Sequence, residues 1–433
     1  MLGRMSQSVF LRRATGTFGI RIVGLALQFA GAIMIARLLG VAAFGVYAYA
    51  FTWVVIVGLL LSLGVTQLAT RELPRFLALG QRVAFSRFVT LLCGLIIGVG
   101  ALCAGVLFGL EHAGFIDVAV GWPWLALGIV IHGLILGCAA VLQSLQQMVK
   151  SQAIETILRQ GLFLLALGVL FVWGAQPSAA EVFRLSVVLS IPVLGVMIWV
   201  TGRALRAIAW PVEHTSAVGS RRIWLICALP LLVMLFASQM QTNLDVLLIG
   251  VLADAADVGR YRVASRGADL MLIATGIAIQ VLGPMLAHTL AQGHDQEGQA
   301  MITQSTLIAT VLGGSICVVM WVGSSLYLGL FGPDFVAATP ILRILVSAQM
   351  IGILCGPVSV ILVTLGHERL VLCVSLGVLA LNLCLNLILI PLYGPLGAAW
   401  ATFVAVIALQ VLLMVSVMQR SVFDPTLRPL WRA

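Results

Sequence analysis

A few polar side chains recur at helical spacing inside otherwise apolar segments, and they are the residues with which this sequence could do chemistry. Arg262, Arg266, Asp269, Gly276 and Gln280 follow one another at intervals of 4, 3, 7 and 4, which puts them on one face of a helix. A guanidinium holds phosphate oxygens through two parallel hydrogen bonds, so Arg262 and Arg266 suit an anionic ligand in a cationic cavity. In that reading Asp269 pairs with Arg266 along the helix and Arg262 stays uncompensated. The plainer alternative is a buried structural pair beside a surface arginine. Arg21, Gly24, Gln28 and Gly31 make a second stripe. It either lines the same cavity, or Arg21 snorkels to lipid headgroups while the glycines pack against a neighbour.

Ser238, Gln241, Thr242 and Asp245 share a third helical face. Asp245 is expected either to neutralise Arg262 or Arg266 across a helix pair or to bind a coupling cation or proton. His132 stands in the middle of an apolar segment, as a proton relay or as a structural, hydrogen-bonded imidazole. Asn382 and Asn386, one turn apart, either join helices to one another or contact a ligand. All eight cysteines fall in apolar segments without short pairing and read as small hydrophobes, with no metal and no disulfide. No G-x-x-x-x-G-K-[ST] loop occurs, so ATP is not an internal energy source and no cofactor is expected.

The elements that must position these residues follow from composition. Hydrophobic residues make up 61% of the 433 positions and charged residues 9%, with a mean hydropathy of +1.14. A soluble domain carries roughly 25% charged residues, so nearly the whole chain belongs in lipid. The basic amino terminus, with Arg4, Arg12 and Arg13, precedes an apolar stretch too long for a cleaved signal and reads as an uncleaved first span. Crossing a hydrocarbon core of about 30 Å takes about 20 apolar residues. Twelve predicted cores result: 15–36, 43–64, 88–110, 118–142, 157–174, 183–202, 223–243, 262–283, 301–328, 340–365, 370–391 and 396–418. The fold class is therefore all-α and polytopic.

Net charge of +9 raises nucleic acid as a partner, and the placement of the charge decides against it. With both termini inside, 17 of the 24 Lys and Arg residues fall on the inner connections and 5 on the outer ones, while Arg21 and Arg266 lie within spans. That asymmetry follows the positive-inside rule and predicts cytoplasmic termini.

Half a chain apart, the sequence repeats itself. Phe44-Gly45-Val46-Tyr47 opens the second span, and Val258-Gly259-Arg260-Tyr261 opens the eighth. Two six-helix lobes around a central cavity are expected, 1–202 and 223–433, joined by a basic cytoplasmic linker at 203–222. Repeats of this kind let a site between two lobes face either side of the membrane.

Several of these segments resemble one family in their order along the chain. They are Ala36-Arg37-Leu38-Leu39-Gly40 with Phe44-Gly45-Val46-Tyr47, and Leu63-Gly64 before Arg71-Glu72. Asp245 to Gly250 follows with Gly259-Arg260-Tyr261 and Ala264-Ser265-Arg266, then Phe331-Gly332-Pro333-Asp334-Phe335 with Pro340-Ile341-Leu342-Arg343. At the carboxyl end, Asn382 and Asn386 precede Ile390-Pro391 and Gly394-Pro395-Leu396-Gly397-Ala398-Ala399. The chain resembles the polysaccharide transporters of the multidrug/oligosaccharidyl-lipid/polysaccharide exporter superfamily, which includes the O-antigen repeat-unit flippases. The resemblance implies a flippase, not an enzyme, in the bacterial inner membrane. Its expected substrate is a lipid-linked oligosaccharide on an undecaprenyl pyrophosphate carrier, for lipopolysaccharide or exopolysaccharide synthesis. Membrane lipids are its surroundings, ion or proton coupling is open, and it is expected to act as a monomer.

Two readings compete. A cation-coupled multidrug antiporter of the same superfamily would want acids deep in the amino-terminal lobe, where the predicted spans hold none. A membrane glycosyl polymerase or ligase would want a long external catalytic loop, which is missing between the predicted spans.

Overall fold

The computed structural model describes residues 2–425 with the exception of 115–117, 209, 211–220, 422 and most of 273–293, and without the side chains of 2–18, 21 and 22. Among the described residues every regular element is helical. We number them α1 (Leu2–Leu60), α2 (Val65–Ala78), α3 (Arg82–His112), α4 (Trp122–Ser144), α5 (Met148–Val172), α6 (Ala179–Arg206) and α7 (Arg221–Leu252). After these come α8 (Ala255–Asp269), α9 (Asp295–Val322), α10 (Ser324–Gly329), α11 (Thr339–Leu354), α12 (Val358–Thr364), α13 (Glu368–Tyr393) and α14 (Pro395–Arg420). Among the described residues ten helices are long and apolar enough to cross a membrane, so the chain is a multi-pass membrane protein.

The ten and the twelve predicted cores differ for identifiable reasons. Cores 15–36 and 43–64 lie in the single long element α1, whose path breaks at Gly40, with φ 72° and ψ 176°. That backbone is open to glycine and strained for any residue with a Cβ. The core predicted at 262–283 runs largely through residues outside the described set. The core predicted at 340–365 still supplies one of the ten, Pro333–Leu354, but it is not one helix: α11 stops at Leu354, Gly356 turns at φ 76°, and α12 restarts after Pro357.

The chain forms two compact units, Met1–Gln239 and Met240–Ala433, and the division falls inside α7. In the first unit, α2 is amphipathic. It buries Val65, Leu68, Ala69, Leu73 and Phe76, while Glu72 on its other side lies 3.9 Å from Arg71 and 3.6 Å from Arg75. Phe76, Phe88 and Trp224 cluster with ring centroids 5.1 to 6.1 Å apart, which fastens the start of α7 to α2 and α3. α6 begins at a capping box, where Ser178 N–H donates to Glu181 Oε2 at 2.7 Å and Glu181 N–H to Ser178 Oγ at 3.3 Å.

In the second unit, the chain after α14 returns and is held by α9. Gln299 exchanges two hydrogen bonds of 2.8 Å with the backbone of Asp424, Thr306 donates to the Pro425 carbonyl at 3.1 Å, and Phe423 joins the hydrophobic core. Gly356 must lack a side chain here, because a Cβ would sit 2.2 Å from that same carbonyl.

Candidate functional site

Four helices of the second unit converge on Asp245. This carboxylate, 7% exposed on α7, accepts from the Tyr261 hydroxyl of α8, from Thr402 Oγ1 of α14 at 2.5 Å, and from Asn386 Nδ2 of α13 at 2.9 Å. Asn386 also donates to the carbonyl and the Oδ1 of Asn382, at 2.9 and 3.0 Å, and its own Oδ1 is buried with no hydrogen-bond partner among the described residues. The helices deliver these groups by simple spacing: Asn382 and Asn386 are one turn apart, and Tyr261 follows the short turn that reverses α7 into α8.

No guanidinium takes part in this ring. Among the described residues the ion pairs are those of Glu72 with Arg71 and Arg75, Arg260 with Asp257 at 3.1 Å, and the contact of His294 with Glu297 at 3.6 Å. The expected neutralisation of Arg262 or Arg266 by Asp245 is therefore replaced by neutral hydroxyl and amide donors. Such an oxygen-rich arrangement, with one buried acceptor unused, is what a proton or a small hard cation would need. It holds no cluster of His, Cys, Asp and Glu for a transition metal among the described residues.

Arg262, Arg266 and Asp269 lie together on α8 and are half-buried, whereas Tyr261, Val263, Ala264, Gly267 and Ala268 are buried. The buried face is fixed by small residues, since a Cβ on Gly267 would come within 2.9 Å of Leu342 and Tyr327, and Tyr327 donates to the Val263 carbonyl at 3.2 Å. Packing on that side turns the arginine stripe away from it. Arg262 donates to Asn243 Oδ1 at 3.3 Å. Arg266 and Asp269 make no direct ion-pair contact, but their charges and that of Arg262 act on one another along the helix. Gln280 lies outside the described residues, as does the side chain of Arg21. Of the Arg21 stripe, Gln28 is half-buried, and Gly24 packs on α5, where a Cβ would meet Thr156 Cγ2 at 2.0 Å.

His132 of α4 has a partner that the sequence reading placed elsewhere. Arg159, which falls inside the predicted core 157–174 although it is one of the 17 residues assigned to the inner side, lies within the α5 span, directly after a π-helical stretch, Ala153–Leu158. Its Nη1 stands 3.3 Å from His132 Nδ1, and its guanidinium carbon lies 5.7 Å from the Phe51 ring centre. A guanidinium only donates, so Nδ1 is the acceptor and the imidazole is neutral with its proton on Nε2. Both side chains line a cavity of about 10 Å³ with Phe51, Ser186 and Ser190. Glu155 lies in the same π-helical stretch, an acid within an amino-terminal span where none was expected. A π-turn inside an α-helix re-aims side chains and is frequent at functional sites. The sequence reading starts the span at 157 because Lys150, Ser151, Gln152, Glu155 and Thr156 are polar, and this leaves Glu155 outside it.

The fold is an all-α, multi-pass membrane architecture. The sequence matches the family described as polysaccharide biosynthesis protein over residues 11–290, and the chain belongs to that family. Among solved structures it is similar to the lipid II flippase MurJ in an inward closed conformation, with a TM-score of 0.70 at 14% identity, covering 94% of this chain and 87% of that one. An inward-facing multidrug resistance transporter of the MATE family, MOP superfamily, gives 0.68 at 14% identity over 94% of this chain and 97% of that one. A MOP superfamily transporter from Pyrococcus furiosus gives 0.61 at 12% identity, covering 94% and 92%. At such identities the likeness concerns the fold. No match was found among curated protein sequences.

Proposed function

We propose that this protein is a flippase that moves oligosaccharide units linked to undecaprenyl pyrophosphate across the cytoplasmic membrane. The units feed polysaccharide or lipopolysaccharide assembly. Twelve spans in two lobes, 1–202 and 223–433 with the linker 203–222, rock around a central cavity, both termini face the cytoplasm, and a monomer suffices. Membership of the polysaccharide biosynthesis family sets the direction. The observation that carries the reading is the arginine stripe of α8, where two guanidiniums share one face with a single carboxylate and Arg262 donates to a neutral amide oxygen. Intramembrane charge costs about 2.5–3.5 kcal/mol per residue on insertion scales, and an anionic carrier would offset it. Asp245 is the coupling group, since it stands in oxygen ligands and serves no arginine. Arg21, Gln28, Asp269 and Gln280 complete the proposed cavity lining, and His132 with Arg159 is the charged counterpart in the amino-terminal lobe.

The test removes the gene and measures the distribution of lipid-linked repeat units between leaflets. They should accumulate on the cytoplasmic side, and Arg262→Gln should reproduce part of that accumulation. An unchanged distribution in a strain without a second flippase would overturn the reading. One observation favours a different cargo: Glu155 is an acid inside an amino-terminal span, as a cation-coupled drug antiporter would want. Loss of drug efflux with intact glycolipid distribution would establish that alternative.

A further inference from the structure

Two adjoining hollows on the first unit share Arg37 and Phe171. The inner one, about 350 Å³, is a groove between α1 and α5. Ala30, Ile33, Met34 and Arg37 occupy positions i, i+3, i+4 and i+7, a single stripe on α1, while Leu164 and Phe171 stand two turns apart on α5. The groove therefore follows both helices for two turns, roughly 10 Å at 1.5 Å per residue, and its apolar walls end at the exposed guanidinium of Arg37. Beyond Arg37 the outer hollow, about 450 Å³, opens onto the turn between α5 and α6 and is lined there by Gly174 and Gln176.

The level of this site relative to the bilayer can be read from its neighbours. Trp173 is 80% exposed and Phe171 56%, both at the end of an apolar span, where polar loop residues take over. Large aromatic side chains so placed mark the headgroup zone. Arg37 is then at the depth of phosphates, and the groove beneath it at the depth of acyl chains. An apolar channel two turns long that ends on one fixed positive charge has the polarity profile of a lipid.

We propose that this groove is a binding site for one anionic phospholipid of the bilayer, with a chain along Ala30, Ile33, Met34 and Leu164 and the phosphodiester on Arg37. One guanidinium answers one phosphodiester charge, and it can do so with two parallel hydrogen bonds. The site lies within the first unit and does not depend on which cargo the protein carries. Its occupant would hold α1 to α5 on the side where Gly40 breaks α1.

Native mass spectrometry of the full-length protein, exchanged into micelles with either phosphatidylglycerol or phosphatidylcholine, tests the proposal. Wild type should retain one phosphatidylglycerol per chain and little phosphatidylcholine. Arg37→Gln, a change at an exposed side chain, should lower phosphatidylglycerol retention about fivefold, the weight of one basic residue at an anionic surface, and leave phosphatidylcholine unchanged. Leu164→Trp should reduce retention by filling the groove while gel filtration still shows a single species. Equal retention of the two lipids, no effect of Arg37→Gln, or a prenyl pyrophosphate found at the site in place of the phospholipid would each overturn it.

Discussion

Replacing Asp245 separates what this carboxylate does for the fold from what it does for transport. In Asp245→Leu its three donors fare differently. Asn386 Nδ2 keeps two acceptors on Asn382, at 2.9 and 3.0 Å, and Thr402 can turn its hydroxyl to the carbonyl four residues back, as Thr52 does at 2.8 Å. Tyr261, 2% exposed, is left with an orphaned hydroxyl. One buried donor without a partner costs about 1–3 kcal/mol, partly offset because a buried charge is removed as well. Asp245→Asn keeps the shape and an acceptor for Tyr261 and Thr402, and loses only the contact to Asn386, so its cost is about 1 kcal/mol. For a unit of this size, 1 kcal/mol shifts the thermal midpoint by about 2–4 °C. The eight free cysteines allow a thiol-reactive dye to follow unfolding in detergent. The expected order of midpoints is wild type, Asp245→Asn, Asp245→Leu. If Asp245 binds a coupling cation, sodium should add stability to wild type, about 2.7 kcal/mol at a hundredfold excess over Kd, and none to Asp245→Asn. Asp245→Leu melting with wild type would refute the hydrogen-bond argument. Equal sodium stabilisation in Asp245→Asn would refute the coupling role while leaving the architecture intact.

Other perturbations probe the remaining features. Gly64→Ala places a Cβ 2.5 Å from the Ala228 carbonyl at φ 79°, whereas Gly174→Ala, at φ 64°, meets nothing within 4 Å. Both bear the left-handed backbone cost of about 1–2 kcal/mol, and only the first should also lose folded yield, measured by gel filtration. Gln299→Ala removes two hydrogen bonds of 2.8 Å to Asp424 and should speed tryptic cleavage at Arg420 severalfold, with unaltered rates contradicting the tail clasp. Arg159→Met exchanges a half-buried guanidinium for an apolar chain, leaving His132 without its donor at a cost of about 1 kcal/mol. Glycolipid flipping should fall at least tenfold in this variant, and full activity would assign Arg159 to packing alone.

The sequence carried the class of fold because hydrophobic run length is nearly the whole code for a membrane helix. Segments such as 370–391 and 396–418 correspond closely to α13 and α14. Apolarity alone gave no warning that 340–365 is interrupted, although Gly356-Pro357 was there to read, whereas the cores 15–36 and 43–64 fall on either side of the break at Gly40. Helical spacing correctly grouped Arg262, Arg266 and Asp269 on one stripe, yet it could not tell which of them would pair. Partner choice depends on side chains brought from other helices, such as Asn243 to Arg262 and Thr402 to Asp245, the latter 157 residues away.

The same limit explains why Arg159 was missed, and it bears on how each unit manages charge. In the second unit the acid is enclosed and the arginines are left half-buried: Asp245 takes all its hydrogen bonds from neutral donors, so no positive charge is spent on it. In the first unit Arg159 is half-buried like Arg262 and Arg266, and it is set against a neutral imidazole and the face of Phe51. A guanidinium solvated by an imidazole nitrogen and a ring face is held more loosely than one in an ion pair, because neither partner contributes a full opposite charge. On the proposed function, each unit would exchange weak neutral partners of a charged group for a stronger ionic one. For Asp245 that partner would be a cation, and for the arginines a phosphorylated lipid.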